Sequence, residues 1–138
     1  PVAAFFAAWI SHHVLDLIPH SDIGSVGGNI ENIFDNKKQT QIVFADIFLC
    51  ALVFLFIAFK ADFNQLVLWG ACGGAFPDLV DNSPFWSAYT RRIFPTNYFH
   101  ILHEKIHCTI VQKEYFFIGI LTQIIVVALS FYLLYAII

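Results

Sequence analysis

Four long apolar segments divide this sequence, and they restrict the chain to helices that can lie in a membrane. The segments cover about Val2–Ile18, Ile42–Phe59, Phe63–Val80 and Tyr115–Ile138. A helix needs roughly 20 residues to cross the hydrocarbon core of a bilayer, within a range of about 17–25. Because lipid offers no hydrogen-bond partners, a helix is the default structure of each segment. We therefore predict an all-α polytopic membrane protein with about four transmembrane helices in a single domain, 1–138.

The composition agrees with a membrane protein and excludes several other classes. The chain is 59% hydrophobic and only 12% charged, whereas soluble domains have about 25% charged residues. We find no phosphate-binding glycine loop, no nucleophile elbow and no basic strip of the kind that binds nucleic acid. The expected partners are membrane lipids, other membrane proteins or further copies of the chain, and not nucleic acid.

The connections place most of the polar chemistry on one face of the membrane. The short sequence KADFN joins segments two and three as a tight hairpin, and the long connection Asp81–Glu114 is expected to contain a short interfacial helix. The end of segment one, the start of segment two and the end of segment three then share one face. That face has six cationic residues, whereas the other has only Lys60; the six are Lys37, Lys38, Arg91, Arg92, Lys105 and Lys113. Positive-inside counting puts this face in the cytoplasm.

Five ionisable groups lie in WISHHVLDLIPHSD, at the end of the first apolar segment. Each such group costs roughly 2.5–3.5 kcal/mol at membrane depth on insertion scales. His12 and Asp16 are four residues apart and share one helical face. Since Pro19 disfavours helix at the residue before it, the chain is expected to turn there and point His20 at the same place. His13 lies about 100° away and is expected to face elsewhere.

Other segments bring residues of the same types to this face, and histidine with carboxylate is a ligand set suited to Zn, Mn or Fe. The sequence predicts one or two divalent ions, Zn first, held by His12, Asp16, His20, Asp22, Asp46, Asp78, His103 and His107. Asp46 and Asp78 have an alternative role as helix-end or ion-pairing residues, and the histidine pair as an amphipathic face. The spacing of Gly70 and Gly74 predicts close helix packing.

These residues resemble a family of small bacterial inner-membrane proteins regarded as metal-dependent hydrolases, which are related to the LexA-regulated membrane-bound hydrolase-like proteins. The stretch SHHVLDLIPHSD is similar to the family pattern S-H-x-x-x-D-x-x-P-H-x-D. GACGGAFPDLVD is similar to its G-x-x-P-D segment, and LHEKIH to its late H-x-x-x-H. Such proteins usually begin with another helix that has an early histidine. Because Pro1 starts where the second helix would, the resemblance implies an incomplete N-terminus or a lost helix.

Two functions follow as expectations. The first is a metal-dependent hydrolase at the cytoplasmic membrane face, which acts on a lipid or lipid-linked phosphoester. In that enzyme Asp22 or Asp81 is the expected general base, and Arg91, Arg92 or Lys105 binds the head group. The alternative is a structural or accessory subunit of a larger membrane complex that keeps the polar or metal site for stability. Transport is disfavoured, because the polar groups cluster at one end of the segments.

Overall fold

A computed structural model describes residues 1–22, 25, 28 and 30–137, and the regular elements in this part of the chain are all helical. The α-helices are α1 (Val2–Leu15), α2 (Lys37–Lys60), α3 (Gln65–Asp81), α4 (Ser87–Thr90), α5 (Thr96–Ile106) and α6 (Phe116–Ile137). A 3₁₀ segment, Ile30–Asp35, precedes α2, and a 3₁₀ turn, Lys113–Tyr115, precedes α6. The predicted all-α class is confirmed, and α5 is the short helix expected in the third connection.

Two helices are long and apolar enough to cross a membrane: α2, and the continuous stretch Lys113–Ala136, which contains all of α6 except its last residue. The other two predicted spans are shorter. α1 has 14 residues and α3 has 17, so they extend about 21 Å and 26 Å at roughly 1.5 Å per residue. Both are below the roughly 30 Å of a bilayer core. The first helix ends at Leu15 rather than Ile18, because the chain turns before Pro19.

Asparagine side chains cap the two helices that begin at the hairpin and at the first connection. Asn36 accepts hydrogen bonds from the backbone N–H groups of Lys38 and Gln39 at the start of α2. Asn64 accepts one from Leu66 at the start of α3. Each cap satisfies N–H groups that have no partner within the helix, which fixes where α2 and α3 begin.

α1 and α3 pack closely through a glycine, but not through the glycine pair that the sequence predicted. A Cβ atom on Gly73 would lie 2.2 Å from the backbone oxygen of Phe5. A Cβ on Gly70 would lie 4.0 Å from the oxygen of Ala4, and one on Gly74 would meet nothing within 4 Å. The contact face therefore includes Gly70 and Gly73. Close packing here brings the ends of α1 and α3 together, where the polar residues lie.

More polar than hydrophobic side chains are buried in the described part of this protein. Among the described residues, the buried hydrophobic side chains are Ile30, Ile33 and Ala58, whereas the buried polar ones are Asp16, Ser21, Ser25, Asp81, Ser83, Ser87 and His103. Large apolar side chains are exposed along the helices. A water-facing protein would bury its apolar surface instead.

Candidate metal centre

The end of α1 and one turn of α5 bring three histidines and a carboxylate together. Ligand atoms of His12, His13, Asp16 and His103 all lie within 4.8 Å of one another; these four residues are called the first cluster. Oδ2 of Asp16 is 3.2 Å from Nε2 of both His12 and His103, and 3.7 Å from Nδ1 of His13. Imidazole nitrogens and carboxylate oxygens that converge on one point have the chemistry of a transition-metal site.

Several nitrogens of the first cluster are buried without a hydrogen-bond partner among the described residues. They are Nε2 of His12 and both ring nitrogens of His13; Nε1 of Trp9 beside them is in the same state. Nε2 of His12 is close to Asp16 but is not aligned for a hydrogen bond. A buried polar atom left unpaired costs roughly 1–3 kcal/mol. A cation bound by Nε2 of His12 and by one ring nitrogen of His13 would remove that cost at those two atoms, so the donor set fits a metal ion.

His103 lies at the centre of the cluster and contacts a carboxylate on each side. Its Nε2 faces Oδ2 of Asp16 at 3.2 Å, and its Nδ1 faces Oδ2 of Asp81 at 3.0 Å. Burial opposes a charge on the ring, but the hydrogen bonds to Asp16 and Asp81 outweigh it and raise the pKa of His103 to about 9. Without a metal, His103 is therefore an imidazolium that donates to both carboxylates.

Asp81 is held from three directions. Besides His103, Nδ1 of His100 lies 2.9 Å from its Oδ1, and Nε of Arg91 lies 3.2 Å from the same oxygen. The Arg91 guanidinium also donates to Oδ1 of Asn82 at 3.0 Å. Asp81 is 2% exposed. It therefore lies behind His103, in the position of a carboxylate that orients a metal-binding imidazole.

His20 and His107 are brought together by backbone pairing between two connections. The backbone N–H of His20 donates to the oxygen of Cys108 at 3.2 Å, and that of Ile110 donates to the oxygen of His20 at 2.8 Å. The N–H of Cys108 donates to the oxygen of Asp16 at 2.8 Å. Nε2 of His20 then lies 3.2 Å from Nε2 of His107. Together with Asp16, these two histidines form a second group of ligand atoms within 4.8 Å, called the second cluster.

Side chains at the start of α6 hold the residues on either side of His20. Thr122 donates to the oxygen of Pro19 at 2.6 Å, and Gln123 donates to the oxygen of Ser21 at 2.9 Å. The hydroxyl of Ser21 donates to the oxygen of Phe116 at 2.8 Å. A Cβ on Gly119 would lie 2.2 Å from Oγ of Ser21, so only glycine allows this approach. The polar residues of the fourth apolar segment thus position His20.

Of the predicted ligands, Asp78 lies at the edge of the first cluster. Its Oδ1 is 3.9 Å from Nε2 of His12 and 4.0 Å from Nε2 of His103, and its side chain is 54% exposed. The same oxygen accepts a hydrogen bond from Asn82 at 2.9 Å. Asp78 is close enough to reach an ion through a small movement or a bridging water, and it faces the open side.

Asp22 and Asp46 are not brought into either cluster. Asp22 lies behind His107 and accepts hydrogen bonds from Thr109 at 2.8 Å and from the N–H of Ser25 at 3.1 Å. Asp46 is exposed on α2 and makes no hydrogen bond or ion pair within the described part of the chain. Asp46 was predicted as a ligand because it lies one turn into the second apolar segment, on the face that the other ligands share. Its charge interacts with that of Asp78 on α3, but its carboxylate belongs to neither group of ligand atoms.

His13 is the cluster residue that sequence reasoning left out. The expected angle of about 100° from His12 holds on α1, but α5 packs between the two directions, so both imidazoles reach its His103. The ring centroids of His13 and His103 are 5.4 Å apart, and those of His12 and His103 are 5.6 Å apart. The sequence feature that could have identified His13 is the adjacent histidine pair itself, because two neighbouring histidines on one helix can both contact a side chain of a second helix.

Comparison of the chain with protein-family models, with curated proteins and with solved structures finds no match.

Proposed function

We propose that this protein is a membrane-embedded, metal-dependent hydrolase whose metal is held by the first cluster. The observation that supports it most is the convergence of His12, His13, Asp16 and His103, in which three ring nitrogens are buried and lack hydrogen-bond partners. Structural polar networks are normally satisfied by protein groups. An unpaired nitrogen on each of two neighbouring histidines, beside a carboxylate and a third imidazole, is what a metal site looks like without its ion.

Zinc suits this donor set best, with manganese or iron as alternatives. Three imidazoles with one carboxylate match the N and O ligands that Zn²⁺ takes at about 2.0–2.2 Å. If the four ligands leave room for a water as a fifth ligand, a bound divalent ion would supply Lewis acidity and lower the pKa of that water toward about 7. Asp81 keeps Nδ1–H of His103 pointed away from the centre, so that Nε2 remains available as the ligand.

The carboxylate best placed to move a proton is Asp78. Both of the bases expected from sequence lie behind a histidine: Asp81 behind His103, and Asp22 behind His107. Asp78 instead lies on the open side, within 4.0 Å of two cluster nitrogens. In hydrolysis of a phosphoester, water oxygen bonds to phosphorus, the ester P–O bond breaks, and the proton taken from water goes to the departing alkoxide. Asp78 can accept that proton and return it.

A lipid or lipid-linked phosphoester is the proposed substrate class, and the bacterial cytoplasmic membrane is the proposed location. Exposed apolar helices around a polar interior support a lipid environment. Arg92 and Lys105 are exposed in the third connection, where either can bind a negatively charged head group. Arg91 is engaged with Asp81 and Asn82, so its role is assigned to holding the site.

Metal analysis of the detergent-purified protein tests this proposal. Wild type should contain a stoichiometric transition metal by mass spectrometry, and it should hydrolyse short-chain phosphatidic acid in mixed micelles. Asp16→Asn and His12→Ala should lose both, whereas Asp35→Asn, a change of an exposed carboxylate before α2, should lose neither. Equal metal content in all four proteins would contradict a metal centre in the first cluster.

A second candidate function is a structural or accessory subunit of a larger membrane complex. The Asp81 network favours it, because that carboxylate already has three protein partners that join α3 to the third connection. Such a subunit would co-purify with a stoichiometric partner in mild detergent. Site variants would then reduce its thermal stability without any change in hydrolysis. A monodisperse, active protein purified alone would contradict this alternative.

A further inference from the structure

The second cluster contains two histidine nitrogens that face each other. Nε2 of His20 and Nε2 of His107 lie 3.2 Å apart, and the two rings are nearly perpendicular, with centroids 4.5 Å apart. Whether this contact is an ordinary hydrogen bond depends on which nitrogens have protons. The partners of the other two ring nitrogens answer that question.

Nδ1 of His20 must have the proton. It lies 2.8 Å from the backbone oxygen of Ile18, and a carbonyl oxygen can only accept. In the neutral ring, Nε2 therefore has the lone pair.

His107 has the same tautomer for a different reason. Its Nδ1 lies 2.7 Å from Oγ1 of Thr109, and the hydroxyl of Thr109 donates to Oδ2 of Asp22 at 2.8 Å. Since a hydroxyl has one proton and an ionised carboxylate can only accept, Oγ1 must accept from Nδ1–H of His107. Nε2 of His107 therefore also has a lone pair.

Two lone pairs that point at each other over 3.2 Å repel unless a cation lies between them. The separation fits a shared metal: two nitrogens about 2.05 Å from one ion and 3.2 Å apart subtend roughly 100°, close to a tetrahedral angle. Asp16 completes a set of three protein ligands, because one of its carboxylate oxygens and one ring nitrogen of each histidine lie within 4.8 Å of one another. Three protein ligands and one open position are typical of a catalytic zinc site.

Asp16 belongs to both clusters. Its ion pairs within the described residues are made by Oδ2, toward His12, His13 and His103. A carboxylate has a second oxygen, so one side chain can bind two ions. We propose that the second cluster is a second metal site and that Asp16 bridges two divalent transition-metal ions.

This inference rests on the proposed function for its first ion, and it narrows the chemistry. Two neighbouring metal ions can stabilise both the attacking and the leaving oxygen of an in-line displacement at phosphorus. It also gives Thr109 and Asp22 a role: they fix the tautomer of His107 as Asp81 orients His103. A two-metal centre is therefore consistent with the proposed phosphoester class of substrate.

The number of bound ions tests the proposal. The full chain is purified in detergent, stripped with a chelator, reloaded with Zn²⁺, and measured by mass spectrometry and calorimetry. Wild type should bind two ions. His20→Gln and His107→Gln should bind one, His12→Gln with His103→Gln should lose the first-cluster ion, and Glu104→Gln, an exposed control on α5, should keep two.

The outcomes separate this inference from the proposed function. One ion that survives His20→Gln and His107→Gln but not the first-cluster variant overturns the second site and leaves the hydrolase proposal standing. One ion that is lost in every site variant means a single mixed site and also overturns it. No ion in wild type overturns both. A measurement that needs no variants is electron paramagnetic resonance of the wild-type protein loaded with Mn²⁺. The spectrum of a spin-coupled pair of ions supports the proposal, and the spectrum of isolated ions contradicts it.

Discussion

Nδ1 of His103 lies 3.0 Å from Oδ2 of Asp81, and both side chains are 2% exposed. A buried carboxylate behind a metal-binding imidazole fixes the orientation of the ring and increases its basicity as a ligand. The hydrogen bond joins α3 directly to α5, across a connection that contains α4. Asp81 therefore couples the packing of these helices to the shape of the proposed metal centre.

Asp81→Asn should weaken zinc binding at the first cluster by about 10–100-fold, the usual cost of losing such a partner. The amide keeps the volume of the side chain but has no charge to hold His103, His100 and Arg91 together. A competition titration with a zinc-binding dye measures the change. Glu104→Gln is the control, because Glu104 is exposed and lies 3.9 Å from His100. Unchanged affinity in a folded Asp81→Asn protein would exclude the positioning role.

The metal-free protein should lose stability as the pH rises from about 6.5 to about 9. Burial opposes the charge on His103, but Asp16 and Asp81 outweigh it and raise its pKa to about 9 from 6.5. A group whose pKa is raised on folding contributes its full stabilisation below the unfolded value and loses it through the folded value. The loss is roughly 3 kcal/mol at most.

Thermal unfolding of the chelated protein in detergent at several pH values measures this loss. His103→Gln removes the titrating group, so its melting temperature should vary less over the same interval. Zinc should reverse the trend in wild type, since the ion displaces the proton from Nε2 and binds more tightly at higher pH. A flat pH profile for metal-free wild type would contradict a protonated His103 between Asp16 and Asp81.

The sequence predicted the helical class and most of the cluster because both depend on local rules. Apolar segments without hydrogen-bonding solvent become helices, and residues four apart share a helical face. Those rules correctly joined His12 with Asp16. They also placed the polar ends of α1 and α3 together. A short hairpin connects α2 to α3, so α3 runs back to the face at which α1 ends and α2 begins.

What the sequence could not predict depends on which elements pack against one another. His13 enters the cluster because α5 packs between the directions in which the side chains of His12 and His13 point. The spacing of residues along α1 does not predict where α5 packs. Asp46 interacts electrostatically with Asp78 but stays outside both clusters, because the packing of α2 does not bring its carboxylate as far as the histidines. Thr109 and Gln123 were not singled out, since their function comes only from backbone pairing and packing across about a hundred residues of chain.

Gly73→Ala should destabilise the protein by about 1–3 kcal/mol, as expected when a methyl group is forced into a filled space. Its Cβ would lie 2.2 Å from the oxygen of Phe5 and 2.8 Å from its carbon and Cα, and these are backbone atoms that move only with α1. Gly74→Ala is a matched control in the same helix, because its Cβ meets nothing within 4 Å. Melting temperatures in detergent compare the two. Equal effects would mean that α1 and α3 do not touch at Gly73.

Gly119→Ala should weaken the second ion selectively. Its Cβ would lie 2.2 Å from Oγ of Ser21, 2.6 Å from the backbone nitrogen of Ser21 and 2.9 Å from the carbonyl carbon of His20. The segment that presents His20 must then shift away from α6, whereas the first cluster is held by α1, α3 and α5. We expect at least about a 10-fold loss of affinity for one of two ions, measured by calorimetry.

Ser130→Ala is the control for that change, because the hydroxyl of Ser130 donates only to the oxygen of Val126 in its own helix, at 2.8 Å. It should bind two ions as wild type does. Loss of both ions in Gly119→Ala would show that α6 supports the whole centre through Asp16, the proposed bridging ligand. Retention of both at wild-type affinity would show that His20 is not held by this contact, and the role given to α6 would be wrong.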